Sequence, residues 1–202
     1  MRRFAGPELI LASHNAGKID EMRALLDRHG IALSSAADHN LPEPAETGTT
    51  FVENARIKAH AAAKTTGIPA LADDSGIEID ALGGAPGVYT ADWAETPTGR
   101  DFALAMTRAH AALEDIGAAE PRIARFCCTL VLAWPDGHDE VFAGVMPGRV
   151  VWPMRGAHGH GYDPIFEPEG YDQTFGEMDR WEKNKISHRA RAVALLEAAL
   201  GA

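Results

Sequence analysis

Short apolar segments alternate along the chain with segments of helical periodicity. The first apolar segment covers residues 8–12, and Ile19, Met22 and Leu26 follow it at helical spacing. A strand that is followed by a helix and then by a second strand is the usual unit of sheets that are covered by helices. The alternation therefore predicts an α/β fold with a mixed twisted sheet and flanking helices.

Local signals predict where several elements begin and end. Thr50 and Glu53 have the spacing of a capping box, which predicts a helix that starts just before Phe51. Thr98 and Ser187 are expected to cap two later helices, because both residue types accept hydrogen bonds from the first backbone N–H groups of a helix. Strands are predicted at residues 8–12, 31–35, 69–73, 77–81, 125–134, 140–145 and 149–152.

Length and charge limit the classes of function. The 202 residues fit a single domain that spans 1–202 and consists of two intimate lobes. Lys and Arg total 19, and Asp and Glu total 29, which gives a formal net charge of −10. Proteins that coat nucleic acid or an anionic membrane usually carry the opposite sign, so neither partner is expected. A nucleotide is not excluded, because a few local cations can bind its phosphates.

Neither a membrane span nor a secretory signal is visible in the sequence. No apolar run reaches the roughly 18 residues of a membrane-spanning helix, and the first residues lack the apolar core of a signal peptide. The adjacent Cys127 and Cys128 lie in an apolar segment, and neighbouring cysteines rarely form an unstrained disulfide. The sequence therefore predicts a cytoplasmic protein with two reduced core thiols.

The loop from Ser13 to Lys18 joins the first predicted strand to the first predicted helix. In open α/β sheets, ligands bind outside the carboxyl ends of strands, and exposed N–H groups at a helix N-terminus suit a phosphate. The loop is not a Walker A loop, since Ala12 and Ile19 stand where that pattern needs Gly and Ser or Thr. Two interpretations remain: a phosphate-binding loop that uses Lys18, or an ordinary strand-to-helix turn.

Four acidic residues, Glu46, Glu53, Asp73 and Asp74, are candidates for a cation site. Asp73 and Asp74 follow directly on an apolar strand, so one of them is held at the rim of the sheet while its neighbour points the other way. Carboxylates that meet from different segments are the usual protein ligands of Mg²⁺. The alternative is a turn in which these two side chains hydrogen-bond the backbone of the next two residues.

Other catalytic chemistries find little support. His158 and His160 lie two residues apart in a glycine loop, without the further Cys or His ligands of a zinc site. Ser13 and Ser75 lack the G-x-S-x-G context of a nucleophile elbow. Basic residues from Lys183 to Arg189 surround the predicted start of the last helix, where such a charge run is usually a solvated cap.

Several motifs occur in a specific order along the chain. They are SHNAGK at 13–18, ETG at 46–48, FVENA at 51–55 with Lys58, ADDSG at 72–76, LGGAPGVY at 82–89, GYDPIF at 161–166 and EKNKISHR at 182–189. None of them is decisive alone, but their joint order is specific. On these motifs the chain resembles the inosine triphosphate pyrophosphatase family, also called XTP/dITP diphosphatases, over residues 8–200.

The resemblance implies an enzyme that hydrolyses deaminated purine nucleoside triphosphates, namely ITP, dITP and XTP, to the monophosphate and pyrophosphate. It also implies Mg²⁺ as cofactor, a homodimer, and a fold of two lobes with the substrate in a central cleft. Selectivity is expected to rest on the purine 6-position. Inosine and xanthine present a carbonyl acceptor there, whereas adenine presents an amino donor.

The resemblance also assigns roles to individual residues. The metal ligands are Glu46 and Asp74, and Asp74 is also the proton acceptor. Backbone amides of the first loop, with Lys18, Lys58 and Mg²⁺, would offset the charge of the triphosphate. The positions implied in substrate binding are Ser13, His14, Asn15, Ala16, Gly17, Lys18 and Lys58 for the triphosphate, Ser75 as a further contact, and His160, Gly161, Tyr162, Asp163, Lys183, His188 and Arg189 for the base.

Two positions depart from the pattern of the family. His160 stands where the family usually has an aromatic side chain that stacks on the base, and histidine stacks more weakly. Asp92 stands where many bacterial relatives have a basic residue. Two other functions stay open at this point. One is a nucleotide-binding module without turnover, against which the joint presence of Glu46, Asp74 and Lys18 argues; the other is a related enzyme for pyrimidine or modified nucleotides.

Overall fold

The computed structural model describes residues 2–4, 6–14 and 16–200 of the chain. Its strands are β1 (Glu8–Leu11), β2 (Ala32–Ser35), β3 (Ala70–Ile79), β4 (Glu95–Thr96), β5 (Gly99–Arg100), β6 (Arg122–Ala133), β7 (Asp139–Val150) and β8 (Phe166–Pro168). Its α-helices are α1 (Ala16–Leu26), α2 (Phe51–Thr66), α3 (Phe102–Asp115), α4 (Arg180–Ile186) and α5 (His188–Leu200). Within these described ranges, no helix has the length and apolar character that a membrane crossing requires.

In the described part of the chain, one mixed sheet has the strand order β2-β1-β3-β6-β7-β8, and β4 and β5 form a separate ribbon. β1 lies between β2 and β3 and is parallel to both. Parallel neighbours need a crossover connection, and α1 and α2 lie in the connections from β1 to β2 and from β2 to β3. β8 is antiparallel to β7. The predicted α/β fold with a mixed sheet is confirmed.

The chain forms two compact units. The first unit comprises the residues up to 74, residues 129–143 and the residues from 192 onwards, and the second comprises 75–128 and 144–191. Each unit therefore combines segments that are far apart in the sequence. Contacts between such segments, rather than local structure, hold each unit together.

Each unit has its own hydrophobic core, and the two cores differ in the size of their side chains. The first core contains a series of alanines, of which Ala55 and Ala59 lie on α2. Small side chains let the backbone of a helix approach its neighbours closely at native packing density. The second core contains the rings of Phe126, Phe166 and Phe175, and the centroids of Phe126 and Phe166 are 4.6 Å apart in an edge-on contact. Both predicted core thiols are buried and reduced.

The helix α2 begins where the sequence predicts. The Thr50 hydroxyl accepts the backbone N–H of Glu53 at 3.2 Å, and the Glu53 carboxylate accepts the backbone N–H of Thr50 at 3.1 Å. Glu53 is thus a capping residue and not part of a cation site. The helix ends at Gly67, whose φ of +74° lies in the left-handed region. This placement puts Asn54 and Lys58 one turn apart on the same face of α2.

Two predicted interruptions of strands are wrong. Residues 70–79 form the single strand β3, which runs through Asp73 and Asp74 where the sequence allows a turn. Residues 139–150 likewise form the single strand β7 where two strands are predicted. β3 and β7 each have a sheet neighbour on both sides, and these hydrogen-bond ladders override the weak turn signal of a single glycine. The interpretation of the two aspartates as a turn is therefore also wrong.

Helix α3 begins three residues later than the sequence predicts. Its N-cap is Asp101, whose carboxylate accepts the backbone N–H of Leu104 at 3.0 Å, while Thr98 lies in the turn between β4 and β5. Thr and Asp are both good N-caps, so residue type alone does not choose between the two positions. The cap of α5 is confirmed, because the Ser187 hydroxyl accepts the backbone N–H of Ala190 at 3.2 Å.

A network of charged groups joins α2 to the start of β7 in the first unit. Arg56 donates to both carboxylate oxygens of Asp139 at 3.0 Å, and the Nε2 atom of His60 lies 2.9 Å from Oδ2 of Asp139. Burial raises the pKa of the Asp139 carboxyl, but these hydrogen bonds outweigh that effect and hold the pKa below its ordinary value. The charged form of Asp139 therefore stabilises the fold.

We expect Asp139→Asn to lower the free energy of unfolding by about 1–2 kcal/mol at pH 7, because it removes charge-assisted hydrogen bonds that are partly shielded from water. The folded-state pKa is lowered, so this contribution is present above the unfolded-state pKa of about 4 and is lost as the pH falls through the folded-state value. Urea unfolding at pH 7 and at pH 3 measures both effects. The exposed Asp172→Asn is the matched control, with a change under about 0.5 kcal/mol; equal effects of the two variants would contradict the role of the network.

Candidate active site

The carboxyl end of β1 brings the first loop next to two aspartates that lie within β3. β1 ends at Leu11, which is paired in register with Leu71 of β3. Asp73 and Asp74 therefore lie just beyond the end of β1. Helix α1 begins directly after the loop, so Lys18 stands in its first turn. This arrangement agrees with the site that is predicted outside the carboxyl ends of parallel strands.

Charged side chains from four segments converge at this place, and we call Glu46, Asp73, Asp74, Lys18 and Lys58 the acidic cluster. The Nζ atom of Lys18 lies 2.7 Å from Oδ2 of Asp73. The Nζ atom of Lys58 lies 2.8 Å from Oε1 of Glu46 and 3.5 Å from Oδ1 of Asp74. Both aspartates and Lys58 are buried. The acidic cluster therefore has a buried part, formed by the two aspartates and Lys58, and a more exposed part, formed by Lys18 and Glu46.

The electrostatics of the acidic cluster set its protonation. Burial raises the pKa of the Asp74 carboxyl to about 6; the charges of Glu46 and Asp73 act in the same direction, and Lys58 opposes them. Burial lowers the pKa of Lys58, but the surrounding carboxylates outweigh burial and the pKa is raised. Lys58 therefore stays an ammonium group at neutral pH, whereas Asp74 can gain and lose a proton close to neutral pH. A carboxylate with these properties suits a general base.

The acidic cluster has the donor chemistry of a site for a hard cation. Its three carboxylates and two ammonium groups have a formal charge of −1. Glu46 and Asp74 each place an oxygen against the same nitrogen of Lys58, so both already face one cation. Among the residues that the structure describes, no three His, Cys, Asp or Glu side chains could hold a metal by themselves. Mg²⁺ is usually held by one or two carboxylates together with substrate phosphates and water, and the pair of Glu46 and Asp74 fits that mode.

The first loop lies beside the acidic cluster. Ser13 is half-buried directly after β1. His14 is exposed, and the Nε2 atom of its ring lies 3.2 Å from the carbonyl oxygen of Leu41. The predicted site residue Asn15 and the side chains at 16–17 lie outside the described residues. Ser13 and His14 thus lie in the stretch of chain that leads to Lys18, and His14 also contacts the segment that precedes Glu46.

A second polar cluster lies in the second unit around Asp163, whose side chain is only 2% exposed. The Oδ2 atom of Asp163 accepts the backbone N–H of His160 at 2.6 Å and also contacts the Nζ atom of Lys183. A side chain at Gly159 would place its Cβ 2.0 Å from the same oxygen, and the φ of Gly159 is +80°, so glycine is required there. The loop at 159–163 is thus wrapped around one buried carboxylate. We call Asp163, His160 and Lys183 the Asp163 cluster.

Aromatic rings of the second core support the basic residues near this cluster. The ring of His188 stacks on Phe126 with centroids 4.9 Å apart and planes 14° apart. The Nζ atom of Lys183 lies 5.3 Å from the centroid of Phe175, which is a cation–π contact. His188 and Lys183 are therefore held by packing as well as by charge. Rigid support of this kind is what a recognition site needs.

The remaining predicted site residues differ in how they are placed. Tyr162 is fully buried and lies edge-on to Phe102 with centroids 6.3 Å apart, so its side chain belongs to the hydrophobic core. Ser75 follows Asp74 in β3 and is half-buried, and Arg189 is half-buried at the start of α5. The structure thus groups the described residues among the predicted positions into one set in the first unit (Ser13, His14, Lys18, Glu46, Lys58 and Asp74) and one in the second (Ser75, His160, Gly161, Tyr162, Asp163, Lys183, His188 and Arg189).

Sequence analysis missed Asn54 and two aromatic rings. Asn54 donates to Oδ2 of Asp74 at 3.3 Å. It stands four residues before Lys58, and once the capping box fixes the start of α2, helical spacing puts the two side chains on one face. That spacing was the available signal. Phe126 and Phe175 come from apolar segments, where no local pattern separates a ring that supports a functional side chain from any other core residue.

Comparisons with known proteins agree with this arrangement. A model described as the Ham1 family matches residues 9–199. A relative from Ruegeria pomeroyi that is named dITP/XTP pyrophosphatase is 71% identical over 192 residues, which cover 95% of this chain and 94% of the relative. A relative of the same name from Rhizobium meliloti is 57% identical over 100% of both chains. Among solved structures, a HAM1 protein from Coxiella burnetii has a TM-score of 0.90 and 40% identity over 96% of this chain and 98% of its own.

These similarities extend over nearly the whole chain and concern both sequence and fold. They confirm the resemblance that the order of the motifs indicates. The chain therefore belongs to the Ham1 family.

Proposed function

We propose that this protein hydrolyses the deaminated purine nucleoside triphosphates ITP, dITP and XTP to the monophosphate and pyrophosphate, with Mg²⁺ as cofactor. Relatives at 71% and 57% identity are named dITP/XTP pyrophosphatases, which supports this hydrolase reaction. The observation that carries the proposal is the contact of both Glu46 and Asp74 with Nζ of Lys58 at the end of the sheet. The family resemblance further leads us to propose a homodimer that removes these nucleotides from the cytoplasmic pool.

The triphosphate is assigned to the first unit. The loop at residues 13–18 leads into the N-terminal end of α1, where backbone N–H groups and the helix dipole favour phosphate. Lys18 and Lys58 add two ammonium groups, but each is already paired with a carboxylate of the acidic cluster. Because the acidic cluster is itself negative, these lysines alone do not balance a triphosphate. Glu46 and Asp74 would hold a divalent cation, which would supply the missing positive charge.

Release of pyrophosphate needs water in line with the α-phosphorus, a base for its proton, and positive charge near the leaving group. The water oxygen bonds to the α-phosphorus, the bond to the bridging oxygen breaks, and pyrophosphate leaves with the electron pair. Asp74 accepts the proton of the water at its carboxylate. Before the reaction, the ammonium group of Lys58 favours the ionised form of Asp74. The carboxylate of Glu46 holds that ammonium group in place. Mg²⁺, when bound, supplies the positive charge that offsets the charge on the leaving pyrophosphate.

The base is assigned to residues of the second unit. An ammonium group has three N–H donors, and the contact with Asp163 leaves Lys183 further donors for the 6-carbonyl of inosine or xanthine. His188 and Arg189 offer additional donors. The amino group of adenine would leave such donors unpaired, and an unpaired buried donor is costly. His160 is exposed and can stack on the base. Further proposed contacts are Ser75, Gly161 and, through its backbone, Tyr162.

A substrate panel tests the proposed reaction. Pyrophosphate release is measured with ITP, dITP, XTP, GTP, ATP and dUTP, in Mg²⁺ and in EDTA. We expect release from the first three that EDTA abolishes, and a rate at least about a hundredfold lower for Asp74→Asn, since a general base typically contributes a factor of that size or more. Preference for dUTP would instead support a pyrimidine enzyme. Binding of ITP without release would support a binding module and contradict the proposal.

A second prediction concerns the stability of the metal-free protein. Burial raises the pKa of Asp74 from 3.8 to about 6, so the folded protein binds this proton more tightly than the unfolded chain does. The folded state therefore loses stability relative to the unfolded chain as the pH rises through about 6. We therefore expect the change in the free energy of unfolding caused by Asp74→Asn to be about 2 kcal/mol more stabilising at pH 8 than at pH 4. Unfolding in EDTA at the two pH values measures this, and an effect independent of pH would contradict it.

A third prediction concerns the choice of base. Lys183→Met removes the ammonium group that is held by Asp163, so we expect kcat/KM for ITP to fall at least about tenfold, and the ratio of ITP to ATP turnover to fall with it. Lys185→Met is the matched control, because Lys185 is exposed on the same helix. An unchanged ratio of ITP to ATP in Lys183→Met would remove Lys183 from base selection.

A further inference from the structure

A single buried carboxamide joins the segment that carries Glu46 to the carboxylate of Asp74. Asn54 lies in the first turn of α2 and is only 2% exposed. Its Oδ1 atom accepts the backbone N–H of Gly48 at 2.8 Å, and its Nδ2 atom donates to Oδ2 of Asp74 at 3.3 Å. Neither contact is needed to begin the helix, because the capping box already closes its first turn.

The orientation of this carboxamide follows from the chemistry of its partners. The backbone N–H of Gly48 can only donate, so the carboxamide oxygen must face it. The amide nitrogen then faces Asp74, whose ionised carboxylate can only accept. Asn54 therefore offers an acceptor to one segment and a donor to the other. An aspartate of the same shape would offer acceptors only, and a leucine would offer neither.

Gly48 allows this contact by its lack of a side chain. A Cβ atom at this position would lie 2.6 Å from Oδ1 of Asn54 and 2.6 Å from Cβ of Glu53. The position does not have a left-handed φ, so the requirement for glycine is one of close approach. Gly48 follows Glu46 by two residues. The hydrogen bond to Asn54 thus fixes the end of the loop from which Glu46 reaches Lys58.

We infer that Asn54 is a positioning residue that holds Glu46 and Asp74 so that both face the same cation. Asp74 has Lys58 at its Oδ1 atom and Asn54 at its Oδ2 atom, so contacts at both oxygens fix the plane of the carboxylate. Asn54 acts through Asp74 and through the segment of Glu46, without reacting itself. The inference rests on the proposed function, because it is the proposed reaction that needs these two carboxylates aligned.

Two substitutions separate the two contacts of Asn54. Asn54→Asp keeps an oxygen for the N–H of Gly48 but replaces the donor to Asp74 with a second carboxylate. Gly48→Ala keeps the donor, but its Cβ forces the carboxamide oxygen away. Arg56→Ala is the matched control, because Arg56 lies on the same helix and its contacts with Asp139 are outside the acidic cluster. This control shows how much activity is lost when α2 is destabilised without any change in the acidic cluster.

Kinetics of ITP hydrolysis give the first test. We expect kcat of Asn54→Asp and of Gly48→Ala to fall at least about tenfold, with KM changing less than about threefold, because the proton acceptor is misaligned while the lysines remain. Arg56→Ala is expected to keep kcat within about twofold while its melting temperature falls. A kcat of Asn54→Asp within about threefold of the unmodified protein would overturn the inference. An equal fall of kcat in Arg56→Ala would overturn it too.

Two measurements without turnover decide the inference even if no nucleotide is hydrolysed. Titration calorimetry with Mg²⁺ alone is expected to show at least about fivefold weaker binding to Asn54→Leu, which removes both contacts without adding charge, than to Arg56→Ala. Amide hydrogen exchange of Gly48 is expected to be at least about tenfold faster in Asn54→Leu than in Arg56→Ala. If Asn54→Leu does not fold, Asn54→Ser replaces it, because its hydroxyl is too short to reach Gly48. Unchanged Mg²⁺ affinity together with unchanged exchange would overturn the inference, whereas a panel without pyrophosphate release would overturn only the proposed reaction.

Discussion

The ammonium group of Lys58, held between Glu46 and Asp74, is the interaction on which the acidic cluster depends. Removing the carboxylate of Asp74 from water is costly, and the cost is offset only where opposite charge and hydrogen bonds are close. Lys58 provides that charge from a helix whose start is fixed by a capping box and whose inner face is built of small alanines. The position of the lysine is therefore a consequence of how α2 begins and of how closely it packs. Without the lysine, the buried carboxylate of Asp74 would lose the ammonium group that lies 3.5 Å from it.

The ionised form of Asp74 in the acidic cluster has a cost in stability, which is consistent with the role proposed for it. Burial and the neighbouring carboxylates together outweigh the attraction of Lys58, so the pKa of Asp74 rises to about 6. A protein selected only for stability would fill this place with apolar side chains, since replacing a buried ion pair by well-packed hydrophobic residues is often neutral or stabilising. The excess of one negative charge has a use when a divalent cation binds together with an anionic substrate. The cost in stability is then the consequence of a site that is complete only when it is filled.

Much of the fold could be predicted from the sequence because its signals are local. The capping box at Thr50 fixes α2, and the apolar alternation fixes the central strands. The cap of α3 was misplaced because Thr98 and Asp101 are equally good caps, and only the ribbon of β4 and β5 decides between them. Helix α4 was not predicted, since most of its 7 residues are polar and no apolar stripe marks it. In the site, the motifs indicated Glu46 and Asp74, but their alignment depends on contacts between distant segments that no local pattern reveals.

The acidic cluster and the Asp163 cluster both contain a buried carboxylate that contacts a lysine, but they distribute their donors differently. In the Asp163 cluster, one oxygen accepts both the backbone N–H of His160 and the ammonium group of Lys183. The backbone N–H of His160 lies in a tight glycine loop and cannot rotate away, so Asp163 keeps this hydrogen bond. The N–H donors that can still bind a ligand belong to Lys183. In the acidic cluster, the side chains of Lys58 and Asn54 contact Asp74 at two separate oxygens. Side-chain donors can shift when a proton arrives, which supports the proposed assignment of proton transfer to Asp74 and of base recognition to Lys183.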